Sequence, residues 1–332
     1  MSVDEAGSTD ARTPEVSVVV ASHDRESRLR VLLDALSDQT LPRDRWELVV
    51  VHTYDADGAA ALLDAHELGA AGVLRHARTD TATPRPSIQR NIGLRIARGD
   101  RIAFTDDDCR PEPEWLERLV VASRAHPGAI VQGATRPEPC EVHLFEHPHF
   151  RALAVDPPPG RFMQTCNILY ERALLERVGG FDERAITGED IDLGTRARNA
   201  GAGLVGVPDA VVYHAIDALS LTEKIRSQLK WAHLAYVVKR HPQLRDRCEW
   251  RIFWKPEHAR ATLATAALLA SPRRPWALAG VIPYIRLERW RHGPSKDQQL
   301  RSLREIPGHF VVEVAEVATF VAGSLRYRTL LF

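Results

Sequence analysis

The chain has no paired cysteines: Cys109, Cys140, Cys166 and Cys248 are widely spaced, and no C-x-x-C occurs. That pattern fits reduced thiols in a cytosolic protein and argues against a disulfide framework or a cysteine-based zinc site. No internal repeat is visible. Two apolar stretches in the last third, residues 262–270 and 276–285, are split by Ser271-Pro-Arg-Arg-Pro275, and neither reaches the ~20 residues of a spanning helix. The first apolar run leads into Ala21-Ser-His-Asp-Arg, which is not the Gly-rich basic loop of a typical nucleotidyltransferase. Residues 1–13 are small and polar, so they read as a disordered tail and not as a signal peptide. Net charge is absent as well, with 44 basic and 44 acidic side chains.

That balance hides an asymmetry. Up to Ile216 there are 24 Lys/Arg against 34 Asp/Glu, and from Asp217 onward 20 against 10. A basic second half suggests an anionic partner such as nucleic acid or a membrane surface. Nucleic acid is disfavoured, because the basic half carries no recognition module. At 332 residues and 44% hydrophobic, the chain has material for one large domain or two ordinary ones.

Strand and helix signals alternate through the first half. Residues 16–21 and 46–51 are β-branched apolar runs. Asp24 can cap a helix that carries Leu29, Leu32, Leu33 and Leu36 on one face. Residues 59–67 and 88–97 have helical spacing, the second closing at Gly99. Pro111 and Pro113 precede a helix with Trp115, Leu116, Leu119 and Val120 facing inward. The order predicts an α/β fold with a mostly parallel, Rossmann-like sheet flanked by helices.

The richest segment is Arg101-Ile-Ala-Phe-Thr-Asp-Asp-Asp, a short strand that delivers Asp106, Asp107 and Asp108 where the sheet ends. Carboxylates there expect a cation, because burying them unpaired costs several kcal/mol. In doubly wound sheets the carboxyl ends of the strands are also where ligands bind.

Three blocks in order carry a resemblance. They are Val16-Ser-Val-Val-Val-Ala-Ser-His-Asp-Arg; then Arg90-Asn-Ile-Gly-Leu-Arg-Ile-Ala-Arg-Gly-Asp leading into the acidic triplet; then Gly179-Gly-Phe-Asp-Glu, Gly188-Glu-Asp-Ile-Asp-Leu and Val211-Val-Tyr-His. Together they resemble the family 2 glycosyltransferases of GT-A fold, over residues 14–216. The resemblance implies a catalytic domain there, followed by a helical appendage at 217–332. It implies a nucleotide-diphosphate sugar as donor and a divalent metal, Mn2+ or Mg2+, held by Asp106 and Asp108. His214 resembles a histidine that some members add to the metal. Ser22, Asp24, Asp55, Arg90, Asn91 and Asp106 fall at the nucleotide. Asp24 serves there as helix cap, nucleotide contact or both. His52 stands where the family usually has an acidic residue that reads base and ribose, with Asp55 or Asp57 able to take over. Asp107 is expected outward or in supporting contacts.

Transfer to a hydroxyl also needs a base. Asp190, opening a helix behind Gly188, suits that role, since the positive end of a helix keeps a carboxylate ionised and accepting. Glu189 is expected to help position the acceptor, and Asp192 to be an ordinary helix-terminal acid. One base with no second nucleophile fits inversion by direct displacement. His143, His147 and His149 read as part of a loop over the acceptor side, since Pro148 breaks the spacing of a two-histidine zinc site.

In the last third, residues 221–238 have helical spacing with Ile225, Leu229, Ala232 and Tyr236 on one face. Residues 310–321 read as a final amphipathic helix with Glu313 and Glu316 outward. The segment 271–305 carries eight Lys/Arg against three Asp/Glu. It reads either as an interfacial membrane attachment on the cytoplasmic face or as an ordinary packed subdomain. The acceptor is a glycan, a lipid-linked sugar or a small molecule. The alternatives are a nucleotidyltransferase of similar architecture and a non-catalytic GT-A-like scaffold.

Overall fold

A computed structural model describes residues 13–23, 25–53, 58–79 and 85–332. Asp24, Asp55, Asp57 and the tail before Thr13 lie outside the described residues. The elements run β1 (Val16–Ser22), α1 (Glu26–Ser37), β2 (Trp46–His52), α2 (Gly58–Ala65), α3 (Glu67–Ala70), β3 (Leu74–Arg78) and α4 (Pro86–Ile96). Next come β4 (Arg101–Asp106), β5 (Cys109–Pro111), α5 (Trp115–Ala125), β6 (Ile130–Pro137), β7 (Phe150–Arg151), β8 (Asn167–Glu171), α6 (Arg172–Val178), α7 (Glu189–Asn199), β9 (Leu204–His214) and β10 (Asp217–Ala218). The remainder is helical: α8 (Leu221–Gln228), α9 (Leu234–Arg240), α10 (Pro256–Ala270), α11 (Ile282–Glu288) and α12 (Lys296–Tyr327).

The chain divides into two compact units. The first runs to Glu141 and takes in Ala152–Glu183 and Leu193–Ala215. Its sheet has the order β3-β2-β1-β4-β8-β6-β9-β5. β3, β2, β1 and β4 are parallel, as are β6 and β9, while β8 runs against both of its neighbours and β5 against β9. The sheet is thus mixed and mostly parallel, as the α/β reading expects. Period-two alternation sends Val16, Val18 and Val20 toward the leucines of α1, and Val19 toward Val49, Val51 and Phe104. Gly93 of α4 permits close packing, because a Cβ there would lie 2.4 Å from Val19 Cγ1. Parallel register aligns Ala21 with Asp106 and Ser22 with His52, so the ends of β1, β2 and β4 meet at one edge.

The second unit comprises Val142–Arg151, Arg184–Asp192 and Ile216–Phe332. Here the structure corrects the sequence reading twice. The helix expected over 221–238 breaks at a 3-10 segment, Leu229–His233; Leu229 is exposed, and α9 buries Leu234, Ala235, Val237 and Val238 instead. The final helix is 32 residues long, capped by Ser295 with Gln298, and it buries Glu313 and Glu316. They turn inward because cationic partners wait there. The Lys255 ammonium and His258 Nε2 both hydrogen-bond Glu316, and Arg291 stands 3.6 Å from Glu313. Among the described residues, α12 alone is long and apolar enough to cross a membrane by length and composition, and 44% of its apolar window is buried.

Candidate active site

The acidic triplet sits at the carboxyl edge of the first unit's sheet. Asp106 ends β4, Asp107 and Asp108 form the turn, and Cys109 opens β5. Antiparallel pairing sets Cys109 opposite His214, and the Ala215 amide donates to the Asp108 carbonyl at 2.9 Å. His214 Nε2 therefore faces Asp108 Oδ1 at 3.5 Å. The other ring nitrogen, Nδ1, lies 2.9 Å from the Ala215 carbonyl, which can only accept, so Nδ1 carries a proton. His214 Nε2 and the Asp108 carboxylate thus face one another as two groups of metal-ligating type, and a backbone bond that fixes the ring's other nitrogen is the usual support of a metal-ligating histidine.

The donor set is carboxylate oxygen and imidazole nitrogen, which suits Mn2+ and, through its oxygens, Mg2+. Cys109 also lies within reach of such an ion. Burial, with Asp106, Cys166 and Asp108 adding to it, pushes its thiol well up and keeps it protonated, unlike a ligating thiolate. Arg25 ion-pairs with Asp108, so the site's negative charge is met by a guanidinium from the start of α1.

Asp107 takes the inward of its two expected orientations. It is buried, with Oδ2 accepting from Ser22 Oγ at 2.9 Å and from the His23 amide at 3.1 Å. Burial raises its carboxyl to about 6, and Asp108 adds to the rise against Arg25, His23 and Ser22. Its role is to hold the turn after β1. Ser22, which the resemblance places at the nucleotide, donates its hydroxyl to this bond.

Arg90 Nη2 donates to Asp106 Oδ1 at 2.8 Å and stacks 5.6 Å from the Phe181 ring, which fixes Asp106 at the edge. Asn91 is occupied otherwise. Its amide nitrogen donates to the Phe181 carbonyl and to Glu183, and its oxygen accepts from the Phe181 amide. It secures the Gly-Gly-Phe-Asp-Glu segment, a structural use that the resemblance did not imply. His52 is buried at the end of β2, and burial, with His76 and Arg78, lowers its pKa to about 4. It stands neutral where an acid was expected.

In the second unit, Gly188 (φ +76°) turns the chain into α7, and a Cβ there would sit 2.8 Å from Leu234. Glu189 and Asp190 are half-buried in the helix's first turn, and Asp190 Oδ1 accepts from the Ile191 amide at 2.8 Å. Asp192 is corrected: it is wholly buried, bonded to His241 Nε2 at 2.8 Å and 3.5 Å from Arg240. It ties the start of α7 to the end of α9. Its position in the first turn hid this, because spacing alone describes a surface acid; only the partner 49 residues away reveals it. Among the described residues, groups able to hold a metal are Asp108/Cys109/His214 and His258/Glu313/Glu316, and the histidines of 140–149 form none.

The sequence model of "Glycosyl transferase family 2" matches residues 17–179. Glycosyltransferase AglE of Haloferax volcanii is 25% identical over 213 residues, covering 60% of this chain and 67% of that protein. In two further bacterial relatives the match spans only 19% and 42% of their own length. Among solved structures, mannosyltransferase PcManGT from Pyrobaculum calidifontis, in complex with GDP-Man and Mn2+, superposes with a TM-score of 0.54 at 19% identity, over 95% of this chain and 87% of that one. S. aureus TarS 1-349 in complex with UDP-GlcNAc gives 0.52 at 15% identity, over 95% and 92%. At these identities the two structures speak for the GT-A-like fold.

Proposed function

Because the chain belongs to glycosyl transferase family 2, the nucleotide-sugar-dependent glycosyltransferases, we propose that it moves a sugar from a nucleotide-diphosphate donor to an acceptor hydroxyl with inversion of configuration. The observation that carries the reading is His214 Nε2 set 3.5 Å from the Asp108 carboxylate at the sheet edge, with Nδ1 bonded to the Ala215 carbonyl. Asp108 and His214, with Asp106 beside them, would hold a divalent cation. When bound, that ion supplies Lewis-acid stabilisation of the charge growing on the departing diphosphate. Arg90 orients Asp106, and Asp107 keeps the turn after β1 in register with it. Asp190 takes the acceptor hydroxyl's proton, and Glu189 helps to orient that acceptor. Asp192 acts through them as a positioning residue, fixing the first turn of α7 by its bond to His241.

The solved neighbours hold a guanine nucleotide in one case and a uracil nucleotide in the other, so the fold accepts either base. A neutral His52 removes the carboxylate that would select one of them. A thermal-shift panel of nucleotide diphosphates and nucleotide sugars, with and without manganese, tests the reading. A ligand at 100 times its dissociation constant stabilises by roughly 2.7 kcal/mol. Stabilisation by one nucleotide that deepens with manganese is expected, and donor hydrolysis separates an enzyme from a scaffold. A panel without any shift would overturn donor binding.

The same reading extends to location. On the second unit Leu269, Trp276, Leu278, Ile282 and Trp290 are exposed, and Arg274 and Arg289 stack on the two tryptophans. Apolar and aromatic side chains beside arginines favour peripheral attachment to an anionic, cytoplasmic membrane face.

A further inference from the structure

We infer that a basic cavity on the second unit binds the phosphate group of the acceptor, so that the acceptor is a phosphate-bearing sugar; this rests on the glycosyl-transfer reading. The cavity is about 580 Å3 and is lined by five cationic side chains and two tyrosines, with no carboxylate in its wall. One side is the end of α9, with Tyr236, Lys239 and Arg240; the other is the end of α12, with Arg326 and Tyr327.

Three of the guanidinium groups lie against the tyrosine rings. Arg184 and Arg240 lie 5.9 and 5.7 Å from the Tyr236 centroid, and Arg326 lies 5.5 Å from that of Tyr327. The two tyrosine rings are 5.7 Å apart, and Lys239 Nζ donates to the Tyr327 carbonyl at 2.9 Å. Basic residues near a helix end answer the helix dipole, worth a few tenths of a kcal/mol each. That accounts for one or two of them. It does not account for five around a concavity floored by aromatics.

Guanidinium forks match phosphate oxygens, and the tyrosine rings on which they lie hold them in place. Arg240 also stands 3.5 Å from Asp192, two residues beyond Asp190 on α7. The cavity therefore borders the first turn of the helix that carries the proposed base. A soluble sugar phosphate and a lipid-linked one share this chemistry.

The test is calorimetric titration of the full chain with glucose 1-phosphate, using glucose as the control. Binding of the phosphate but not of glucose, weakening with salt, is expected. Arg184→Ala and Arg326→Ala, at exposed positions, should each weaken it about five- to tenfold, and Arg326→Lys should recover part of the loss. Absence of binding at low salt overturns the inference. Vesicles of phosphatidylglycerol form a second arm: variants that lose vesicle binding yet keep the sugar phosphate would make the cavity a lipid-headgroup site, and the inference falls. UDP and GDP with manganese form the third. If a nucleotide competes with glucose 1-phosphate and Arg326→Ala weakens both equally, the cavity belongs to the donor and the inference falls. If neither nucleotide binds while glucose 1-phosphate still does, the donor reading fails and the phosphate site stands.

Discussion

Each unit contains a histidine set against a carboxylate, and the two are held differently. His214 has its Nδ1 proton tied to the Ala215 carbonyl, and its Nε2 faces Asp108 at 3.5 Å. His258 has no partner at Nδ1 and meets Glu316 through Nε2 at 2.9 Å, so it lends Glu316 a proton. Around Glu316 the chain also supplies its own ammonium, Lys255, and Arg291 and His309 hold Glu288 in the same interior. Both clusters have metal-ligating residue types within reach of one another. What separates them is how each is held: a backbone carbonyl fixes the His214 ring at the sheet edge, whereas His258 shares Glu316 with an ammonium inside the helical unit.

The contrast divides the carboxylates into those that act on substrate and those that hold the fold, and the sharpest test is the pair on α7. Asp190→Asn keeps size and polarity but cannot take a proton, so turnover should fall roughly 10²–10⁴-fold with donor affinity nearly unchanged. Near-normal turnover would move the base to Glu189. A product that retains the donor's anomeric configuration would end the direct-displacement mechanism.

Next in size is stability. Glu316→Ala removes the buried carboxylate that Lys255 and His258 both bind and should cost about 3–5 kcal/mol in chemical denaturation. Asp108→Ala should cost far less and instead abolish manganese-dependent donor binding. A variant at 316 as stable as the parent, or one at 108 with unchanged manganese dependence, would collapse the distinction between the two clusters.

Acid should separate the units by pH. His52 has its pKa lowered to about 4, so its unfolded form binds a proton first and stability is lost as pH falls from the unfolded value, about 6.5, toward 4. Burial would raise Glu288, but hydrogen bonds from His309 and Arg291 outweigh it and hold the carboxyl at about 2; that contribution is intact above about 4.3 and fades as pH approaches 2. Asp107, raised to about 6, acts in the opposite sense between about 3.9 and 6. His52→Gln should therefore leave a melting-temperature profile in which stability rises as pH falls through that upper window, with the lower one unchanged. The smallest effect concerns the exposed aromatics. Trp276→Ala should weaken binding to anionic vesicles severalfold, and binding that survives high salt in the parent should shrink. No vesicle binding at low salt would favour a soluble enzyme.

Much of the first unit could be read directly. Strand alternation, the leucine stripe of α1 and the inward face of α5 are local patterns whose partners are their own neighbours, and the three motif blocks carried the family. The errors fall where a partner is distant. Asp192 looks like an ordinary helix-terminal acid until His241 and Arg240 meet it in the interior. Glu313 and Glu316 look like the polar stripe of an amphipathic helix until α10 brings Lys255 and His258 against them.

The order of residues alone therefore determined the α/β alternation, the acidic strand end and the family, because those depend on periodicity and contiguous motifs. The tertiary structure decided which carboxylates are spent on the fold, which nitrogen of His214 faces Asp108 and where the basic side chains of α9 and α12 converge. A charge's role depends on its nearest opposite charge and on how much water remains between them, and spacing along the chain encodes neither.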